Sequence, residues 1–565
     1  MFSGANLRIF LWALLAMAFL TNYTLWQTEH PPVAAPAASS ASGGDIDATL
    51  PSAPSAATGS GNATATATSQ VASVATTPAL AAAVPTTGSV HVVTDVLDLT
   101  VGLAGGELRQ ADLLQYHDKK GETRPVRLLN RDSATSLYVL QSGLLAADGG
   151  AAPTHLATFG SPVSEVRLEA GQDSVKVPLT WTNDAGVTVT KTYTFRRGSY
   201  QIGLDYQINN AGATPWSFAS YAQLLRNNVP IERSYFRPDS ISFKGPAYFD
   251  GTRYQKLQLA KKDTKLDQSI TGGWIAALQN HFVSAVIPKS GVAYHYQLRQ
   301  QGDEFLLTAT GATQHVAAGA SATQSEILFV GPKLQSQLNA AGTDLFRVAD
   351  FGSLTFIAQP LFQLVNFAHS LVGNWGLAIM LATLILKLIF YWPSEVAGRS
   401  MGKMKTLAPR IKALQETYKD DREKLAKATM ELYKKEKVNP AAGCLPMLIQ
   451  LPVFLAFYWV LFESVEMRQA PFIGWIQDLS SRDPFFILPV LMAAANFIQF
   501  KLNPNMTADP IQQKIFMLMP IVMSATLAFF PAGLVLYWVT NTVLGILQQW
   551  NINRRINVQT TKARA

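Results

Sequence analysis

Residues 515–549 form a stretch without a single charged side chain. As one α-helix it would be about 52 Å long, more than a roughly 30 Å hydrocarbon core can hold. Pro531-Ala532-Gly533 interrupts the stretch, and Pro and Gly are poor residues for a helix interior. The sequence therefore predicts two helices of about 16 residues each, about 24 Å long.

Other apolar segments extend this pattern. Together they predict six membrane spans, five of them in a C-terminal core, near residues 9–26, 375–392, 445–462, 484–500, 515–530 and 534–549. The first segment follows Arg8 and ends in Tyr23 and Trp26. A cleaved signal peptide is the alternative there, but about 18 apolar residues exceed the usual 7–15 of such peptides. Interfacial aromatic residues favour an uncleaved anchor over residues 1–26.

Composition agrees with a membrane protein. Charged residues are 15% of the chain, against about 25% in soluble domains. The 48% of hydrophobic residues exclude a disordered chain. Cys444 is the only cysteine, which excludes an intrachain disulfide framework and any zinc or iron–sulfur site built from cysteines.

Lys and Arg counts predict the orientation, because basic loops stay in the cytoplasm. The loop 393–440 carries twelve of these residues, and the tail 551–565 carries four with no acid. The loop 463–483 carries two, against four acids. We therefore expect both termini in the cytoplasm and residues 27–360 outside it.

Residues 27–88 are mostly Ala, Ser, Thr, Pro and Gly, without Lys or Arg, which predicts a flexible linker. Residues 89–340 alternate with a period of two; in 187–195 every even position is Thr. This pattern predicts a large all-β sandwich or barrel. Residues 341–373 include an amphipathic segment expected at the membrane interface, and 374–550 hold the predicted membrane core.

Lys387 lies inside a predicted span, about 7–8 Å from the end of that span at Trp392. A lysine that reaches the lipid headgroups is one interpretation. Thr383, Lys387 and three other residues form a less apolar stripe on one helix face, which favours a hydrated internal face. Gln450 lies between two prolines in the next span, and the later spans carry Asn496 and further polar residues. Each is individually typical of a helix–helix hydrogen bond.

The loop 393–440 predicts a basic helical hairpin, in which Asp421 caps the second helix. Its charge indicates either attraction to lipid or a surface for RNA or the ribosome. No Walker A, HExxH or GxSxG motif is present, and the eight His have no metal-ligand spacing. We predict no cofactor, no metal and no enzymatic activity.

Four segments closely resemble the YidC family of membrane protein insertases. They are VNPAAGCLPMLIQLPVF (438–454), EMRQAPFIGWIQDLSSRDPFFILP (466–489), DPIQQKIFMLMP (509–520) and FPAGLVLYWVTN (530–541). The resemblance covers about 354–550. The anchor, linker and β domain resemble the Gram-negative form, whose periplasmic domain is a β-sandwich related to sugar mutarotases.

The resemblance implies an insertase and folding chaperone of the inner membrane, without a small-molecule substrate. Its partners would be nascent membrane proteins, membrane lipids, the ribosome, and the SecYEG translocon with its accessory Sec subunits. The family's proposed mechanism uses a hydrophilic groove with one intramembrane arginine, and Lys387 stands at that position here. Lys keeps the charge but loses the planar guanidinium fork. Thr383 and Gln450 match groove-lining positions.

Trp475, Tyr537 and Trp538 match aromatic positions associated with substrate contact or core packing. Contact with ribosome or lipid is expected from the basic tail, through Arg554, Arg555, Lys562 and Arg564. Two alternatives stay open. One is a secondary transporter with Lys387 as a proton or anion site, although no halves of matching hydropathy are visible. The other is a carbohydrate-active or adhesive β domain with a membrane anchor, for which five later spans are more than needed.

Overall fold

The computed structural model describes residues 46–48, 50–51, 88–118, 121–228, 242–260, 264–342, 344–418, 421–436, 445–502 and 510–562. The predicted anchor and most of the predicted linker lie outside these residues. The chain divides into two compact units. The β unit comprises Gly44–Asp350 and Glu463–Glu466, and the helical unit comprises the remainder.

The β unit contains, within its described residues, two mixed-length sheets of mainly antiparallel strands. The strands are β1 (Ser89–Val93), β2 (Leu97–Gly102), β3 (Leu108–His117), β4 (Pro125–Leu129), β5 (Tyr138–Ala146), β6 (Glu165–Arg167), β7 (Ser174–Thr182), β8 (Val187–Arg196), β9 (Gln201–Asn210), β10 (Trp216–Asn227), β11 (Gly245–Phe249), β12 (Tyr254–Lys256), β13 (Asp267–Thr271), β14 (Trp274–Leu278), β15 (Phe282–Ile287), β16 (Ala293–Gln301), β17 (Glu304–Gly311), β18 (Gln314–Val316) and β19 (Ser321–Pro332).

The larger sheet of the described β unit runs β13-β16-β17-β10-β5-β3-β2-β1-β6, with β18 paired to β10 and β4 to β3. The smaller sheet runs β12-β11-β14-β15-β19-β9-β8-β7. One continuous apolar core contains buried side chains of both sheets. In β8 the odd positions are buried and the intervening Thr residues are half-buried, as the period of two predicts. The predicted all-β sandwich is confirmed.

Helices make up most of the helical unit. They are numbered in chain order from one short helix at the end of the β unit: α1 (Gln335–Ala341), α2 (Thr355–Val372), α3 (Trp375–Ile389), α4 (Tyr391–Thr417), α5 (Arg422–Lys435), α6 (Leu445–Glu463), α7 (Ile487–Leu502), α8 (Pro510–Leu527) and α9 (Ala532–Lys562). Among the described residues, none of these helices combines the length and the apolar character that crossing a membrane would require.

Two helix boundaries cut across the predicted divisions of the chain. α3 ends at Ile389, and α4 begins at Tyr391, so the predicted segment 375–392 contains a helix boundary. α9 continues through the predicted boundary at residue 550 as far as Lys562. No Pro or Gly occurs between Gly545 and Lys562 to stop it. Asp421 accepts a hydrogen bond from the Lys424 backbone at 3.0 Å, and its predicted role as a helix cap is confirmed.

Candidate functional site

Lys387 lies near the C-terminal end of α3, and its side chain is half-buried. Gly545 of α9 faces it: a Cβ atom built on Gly545 would lie 3.6 Å from Lys387 Nζ. The same Cβ atom would lie 3.3 Å from Nε2 of Gln499, on α7. Lys387, Gln499 and the bare backbone of Gly545 therefore meet where three helices approach one another. We call these three residues the lysine recess.

The ammonium group of Lys387 has no hydrogen-bond or ion-pair partner in the part of the chain that the structure describes. An ammonium carries three donors and no acceptor, and a buried charge without partners is costly. Burial is only partial here, so water, a lipid phosphate or a visiting acidic group can satisfy it.

Thr383 lies one turn before Lys387 on α3 and is almost fully buried, with 1% of its surface exposed. Its hydroxyl donates to the carbonyl of Ile379 at 2.6 Å. The proton of this side chain is therefore committed to the backbone of its own helix. In this structure Thr383 supports the packing of α3 beneath Lys387.

Gln450, Tyr537 and Trp538 are brought together between α6 and α9. Gln450 is half-buried, and its side chain lies near the Tyr537 hydroxyl. The Tyr537 ring stacks on Phe457 with a centroid distance of 4.4 Å. Trp538 meets Phe454 edge-on at 4.8 Å. These ring contacts pack α6 against α9.

Trp475 lies in the connection between α6 and α7. Its indole Nε1 donates to Oδ1 of Asp483 at 3.0 Å. Asp483 is 1% exposed and also accepts from the backbone of Phe485 and Leu488. This carboxylate fixes the Trp475 ring, about one third of whose residue surface is exposed.

The same connection is fastened to the start of α9. The backbone of Ala532 donates to the carbonyl of Ser481 at 2.7 Å, and that of Gly533 donates to the carbonyl of Leu479 at 2.9 Å. These bonds satisfy amide groups that the first turn of a helix otherwise leaves unpaired. The connection therefore closes the N-terminal end of α9 with ordered backbone.

Comparisons with known proteins identify the family. Residues 89–364 match the family described as the YidC periplasmic domain, and residues 367–560 match the 60Kd inner membrane protein family. The chain is 41% identical over 560 residues to the membrane protein insertase YidC of Nitrosococcus oceani, covering 98% of this chain and 99% of that one. This chain belongs to the YidC family.

A second YidC relative, from Thioalkalivibrio sulfidiphilus, is 45% identical over 489 residues, covering 84% of this chain and 86% of its own. A crystal structure of an active YidC insertase with its first transmembrane domain resolved matches with a TM-score of 0.37 at 18% identity. That match covers 82% of this chain and 92% of the other.

The basic tail of this YidC-family chain is partly described. Arg554 is exposed, and its guanidinium lies 5.8 Å from the centroid of the Trp550 ring. Arg555 and Lys562 lie on α9, but their side chains are outside the described part, and Arg564 lies outside the described residues. In the basic hairpin, Arg410 on α4 pairs with Glu436 after α5 at 2.7 Å.

Three buried polar residues link α7, α8 and α9. Asn496 donates to the Ser524 hydroxyl at 3.5 Å and accepts from the Thr542 hydroxyl at 3.4 Å. These are hydrogen bonds between helices, as the sequence indicates for single polar residues in spans. They contribute to packing in this YidC-family chain and do not line the lysine recess.

Lys191, in the middle of β8, is a buried charged residue that the sequence analysis leaves unassigned. Its Nζ donates to the carbonyls of Gly106 and Ser142 at 2.7 and 2.8 Å. It also lies 5.3 Å from the centroid of the Tyr193 ring. Burial lowers the pKa of Lys191 to about 7, while the nearby Glu107 and Glu326 oppose this shift. The sequence carries one signal of this burial, because Lys191 occupies an inward position in the alternating pattern of β8.

Proposed function

We propose that this YidC-family chain inserts inner-membrane proteins, and assists their folding, through the lysine recess. The observation that carries the proposal is the half-buried ammonium of Lys387, which faces two other helices without a partner among the described residues. A substrate's translocated segment is often polar and acidic, and it must pass a hydrocarbon layer of about 30 Å. A fixed positive charge in a partly hydrated recess attracts such a segment, because Coulomb attraction strengthens as the local dielectric falls.

Insertion by this route needs no covalent step. The free energy comes from transferring the apolar helix of the substrate into lipid, and the recess lowers the barrier for the polar part. The bare surface of Gly545 leaves room beside the ammonium. Gln499 adds an amide that both donates and accepts hydrogen bonds. The ordered connection between α6 and α7 is proposed to keep the far end of the bundle closed.

The membrane arrangement is part of the proposal. We infer six spans, both termini in the cytoplasm and residues 27–360 in the periplasm, on the basis of the apolar segments and the Lys and Arg counts. The basic hairpin and tail are proposed to receive ribosome-bound nascent chains, alone or beside the Sec translocon. Binding through phosphate contacts falls steeply with salt.

The main test is reconstitution into liposomes with a small single-span substrate, scored by protease protection. Lys387→Arg should retain insertion because the charge is kept. Lys387→Ala and Lys387→Glu should lose it, most strongly for substrates with acidic translocated tails. Lys501→Ala is the matched control, since Lys501 is an exposed lysine at the end of α7. Neutralising the substrate tail should partly restore insertion by Lys387→Ala.

Chemical access tests the recess independently. In a Cys444→Ser background, Gln499→Cys should react with a water-soluble maleimide added from the cytoplasmic side. Thr383→Cys is the internal control and should stay unreactive, because that position is buried. The proposal fails if Lys387→Ala inserts every substrate normally, or if position 499 is as inert as position 383.

Ribosome contact is tested by cosedimentation in detergent, where lipid cannot contribute. Replacing Arg554, Arg555, Lys562 and Arg564 together should weaken the binding. Unchanged binding would leave the tail with an orientation role only.

A further inference from the structure

A short segment of the predicted linker lies on the β unit. Residues Ile46–Ala48 form one turn of 3-10 helix, and the flanking described residues include the buried Pro51. Ile46 is 4% exposed. It packs with Val139, Leu225 and Leu306 in a cluster separate from the main core.

These three residues define an apolar row across the larger sheet. Leu225 of β10 pairs directly with Val139 of β5 and with Leu306 of β17. Their neighbours Leu140, Leu224 and Leu307 belong to the main core. Because successive side chains of a strand point to opposite faces, the row that holds Ile46 lies on the face of the larger sheet directed away from that core.

A polar row runs beside the apolar one on this same face. This row lies two residues further along each strand than the apolar row. It consists of Gln141 on β5, Gln223 on β10 and Thr308 on β17, which are also paired in register. Gln223 Nε2 donates to Gln141 Oε1 at 2.7 Å, and Thr308 donates to Gln223 Oε1 at 3.3 Å. This chain of bonds orients the Gln141 amide, so that its nitrogen is presented outward as a donor.

Asp47 lies over this polar end and is held at three atoms. Its Oδ1 accepts from Gln141 Nε2 at 2.6 Å, and its Oδ2 accepts from Arg131 at 2.6 Å. Its backbone oxygen lies 2.8 Å from His155 Nε2. His155 Nδ1 contacts the Tyr221 hydroxyl, which fixes the ring. Residues from distant parts of the chain thus contact both the carboxylate and the backbone oxygen of Asp47.

The charges of the pocket favour an anionic occupant. Glu107 pairs with Arg109 at 3.0 Å and with Arg131 at 3.1 Å, and it is 3% exposed at its side chain. Arg131 also pairs with Asp47 at 2.6 Å, so Asp47 supplies a second carboxylate to this guanidinium. Charge-assisted bonds of this kind are among the stronger hydrogen bonds in proteins.

We propose that this pocket is a peptide-binding site for an aliphatic–aspartate pair, and that its ligand is the chain's own Ile46–Asp47. The apolar row selects the aliphatic side chain, and the polar row with Arg131 selects the carboxylate one residue later. Asparagine in place of Asp47 would keep the shape but present an NH₂ group or a neutral oxygen to Arg131. The site is independent of the lysine recess, so either proposal can fail without the other.

Spin labelling of the full-length chain in detergent tests the docking. Leu50→Cys in a Cys444→Ser background carries the label at an exposed position three residues after Asp47. The label should show restricted motion, and Asp47→Asn should release it, narrowing the spectrum. Asp47→Asn alters only the ligand, so the pocket stays folded. A label with the same mobility in both chains would overturn the proposal.

Binding in trans tests the specificity. Residues 44–51 of the full chain are replaced by an equally long Gly/Ser segment, and a fluorescent peptide GDIDATLP is added. It should bind saturably, and the peptide with Asn in place of Asp47 should bind at least tenfold more weakly. Arg131→Ala should abolish the difference between the peptides. Absence of binding by GDIDATLP, or equal binding of both peptides, would contradict a site that selects the carboxylate.

Discussion

Lys191 in the β unit and Lys387 in the helical unit are both at least partly buried, but they differ in their hydrogen-bond partners. Lys191 is fully buried and donates to two carbonyl oxygens, with aromatic rings and two carboxylates nearby. Lys387 is half-buried and has no such partner among the described residues. The difference separates a lysine that the fold requires from one that the fold leaves available. A charge without built-in partners is the better indicator of function.

Replacing Lys191 should produce the largest effect on stability. Lys191→Ala leaves a cavity, removes the Lys191 donor from the Ser142 carbonyl and leaves the Gly106 carbonyl with the Tyr193 hydroxyl. The expected cost is about 3–5 kcal/mol in the free energy of unfolding. Hydrogen exchange of β8 and β9 measures this cost in the full chain. Lys387→Ala should leave the same exchange rates unchanged. Equal effects of the two substitutions would remove the distinction between the two lysines.

The pH dependence of the β unit should carry the signature of Lys191. Its pKa is about 7 in the folded chain and about 10.4 when unfolded, so between these values the unfolded state binds more protons. Stability should therefore rise with pH between these two values, by up to about 1.4 kcal/mol per pH unit. Below pH 7 this contribution is constant.

Urea titrations at a series of pH values measure this dependence, with Lys191→Met as the reference. The difference between the two chains isolates Lys191 from Glu326, whose pKa is raised by burial and whose linkage has the opposite sign. An identical pH dependence in the two chains would contradict the assigned cause.

Filling the lysine recess should impair insertion without unfolding the helices. Gly545→Leu places a side chain where Lys387 Nζ and Gln499 Nε2 now approach. Insertion should fall by about tenfold, a change of about 1.4 kcal/mol in barrier. Gly545→Ala is the graded control, which gains up to about 1 kcal/mol in helix propensity and should retain most activity. Insertion by Gly545→Leu at the normal rate would place the pathway elsewhere.

The smallest effect is expected from the hydrogen bonds between helices. Asn496→Leu removes the bonds to Ser524 and Thr542, which are long at 3.5 and 3.4 Å. A loss of about 0.6 kcal/mol in the stability of the helical unit is expected, measured by reversible unfolding in detergent. Insertion should be unaffected. A larger loss of insertion than in Lys387→Ala would make this network, and not the lysine recess, the functional site.

The sequence predicted the β-sandwich because periodicity is a local property. The alternation in residues 187–195 reappears as the buried and half-buried positions of β8. The same alternation placed Lys191 inward, but its two carbonyl partners come from the turn before β3 and from β5, and no local pattern predicts them. Likewise, Asp47 and Arg131 are 84 positions apart, so their pairing is visible only in three dimensions.

The candidate site shows the same limit. Helical spacing correctly places Thr383 and Lys387 one turn apart, but it cannot tell which of them is buried. The bond from Thr383 to Ile379 and the approach of Gly545 to Lys387 depend on how α3 packs against other helices. Gln450 meets Tyr537 for the same reason. Packing between helices decides which polar residues remain accessible.

The docked segment also determines how the chain would respond to a mechanical load. A pull from the N-terminal end reaches Ile46–Asp47 before it reaches β1, so the contacts of Asp47 with Arg131 and Gln141 bear the tension first. Rupture of these contacts would free the segment while the β-sandwich itself stays folded. The docked segment would thus be the first part of the β unit to yield to a pulling force.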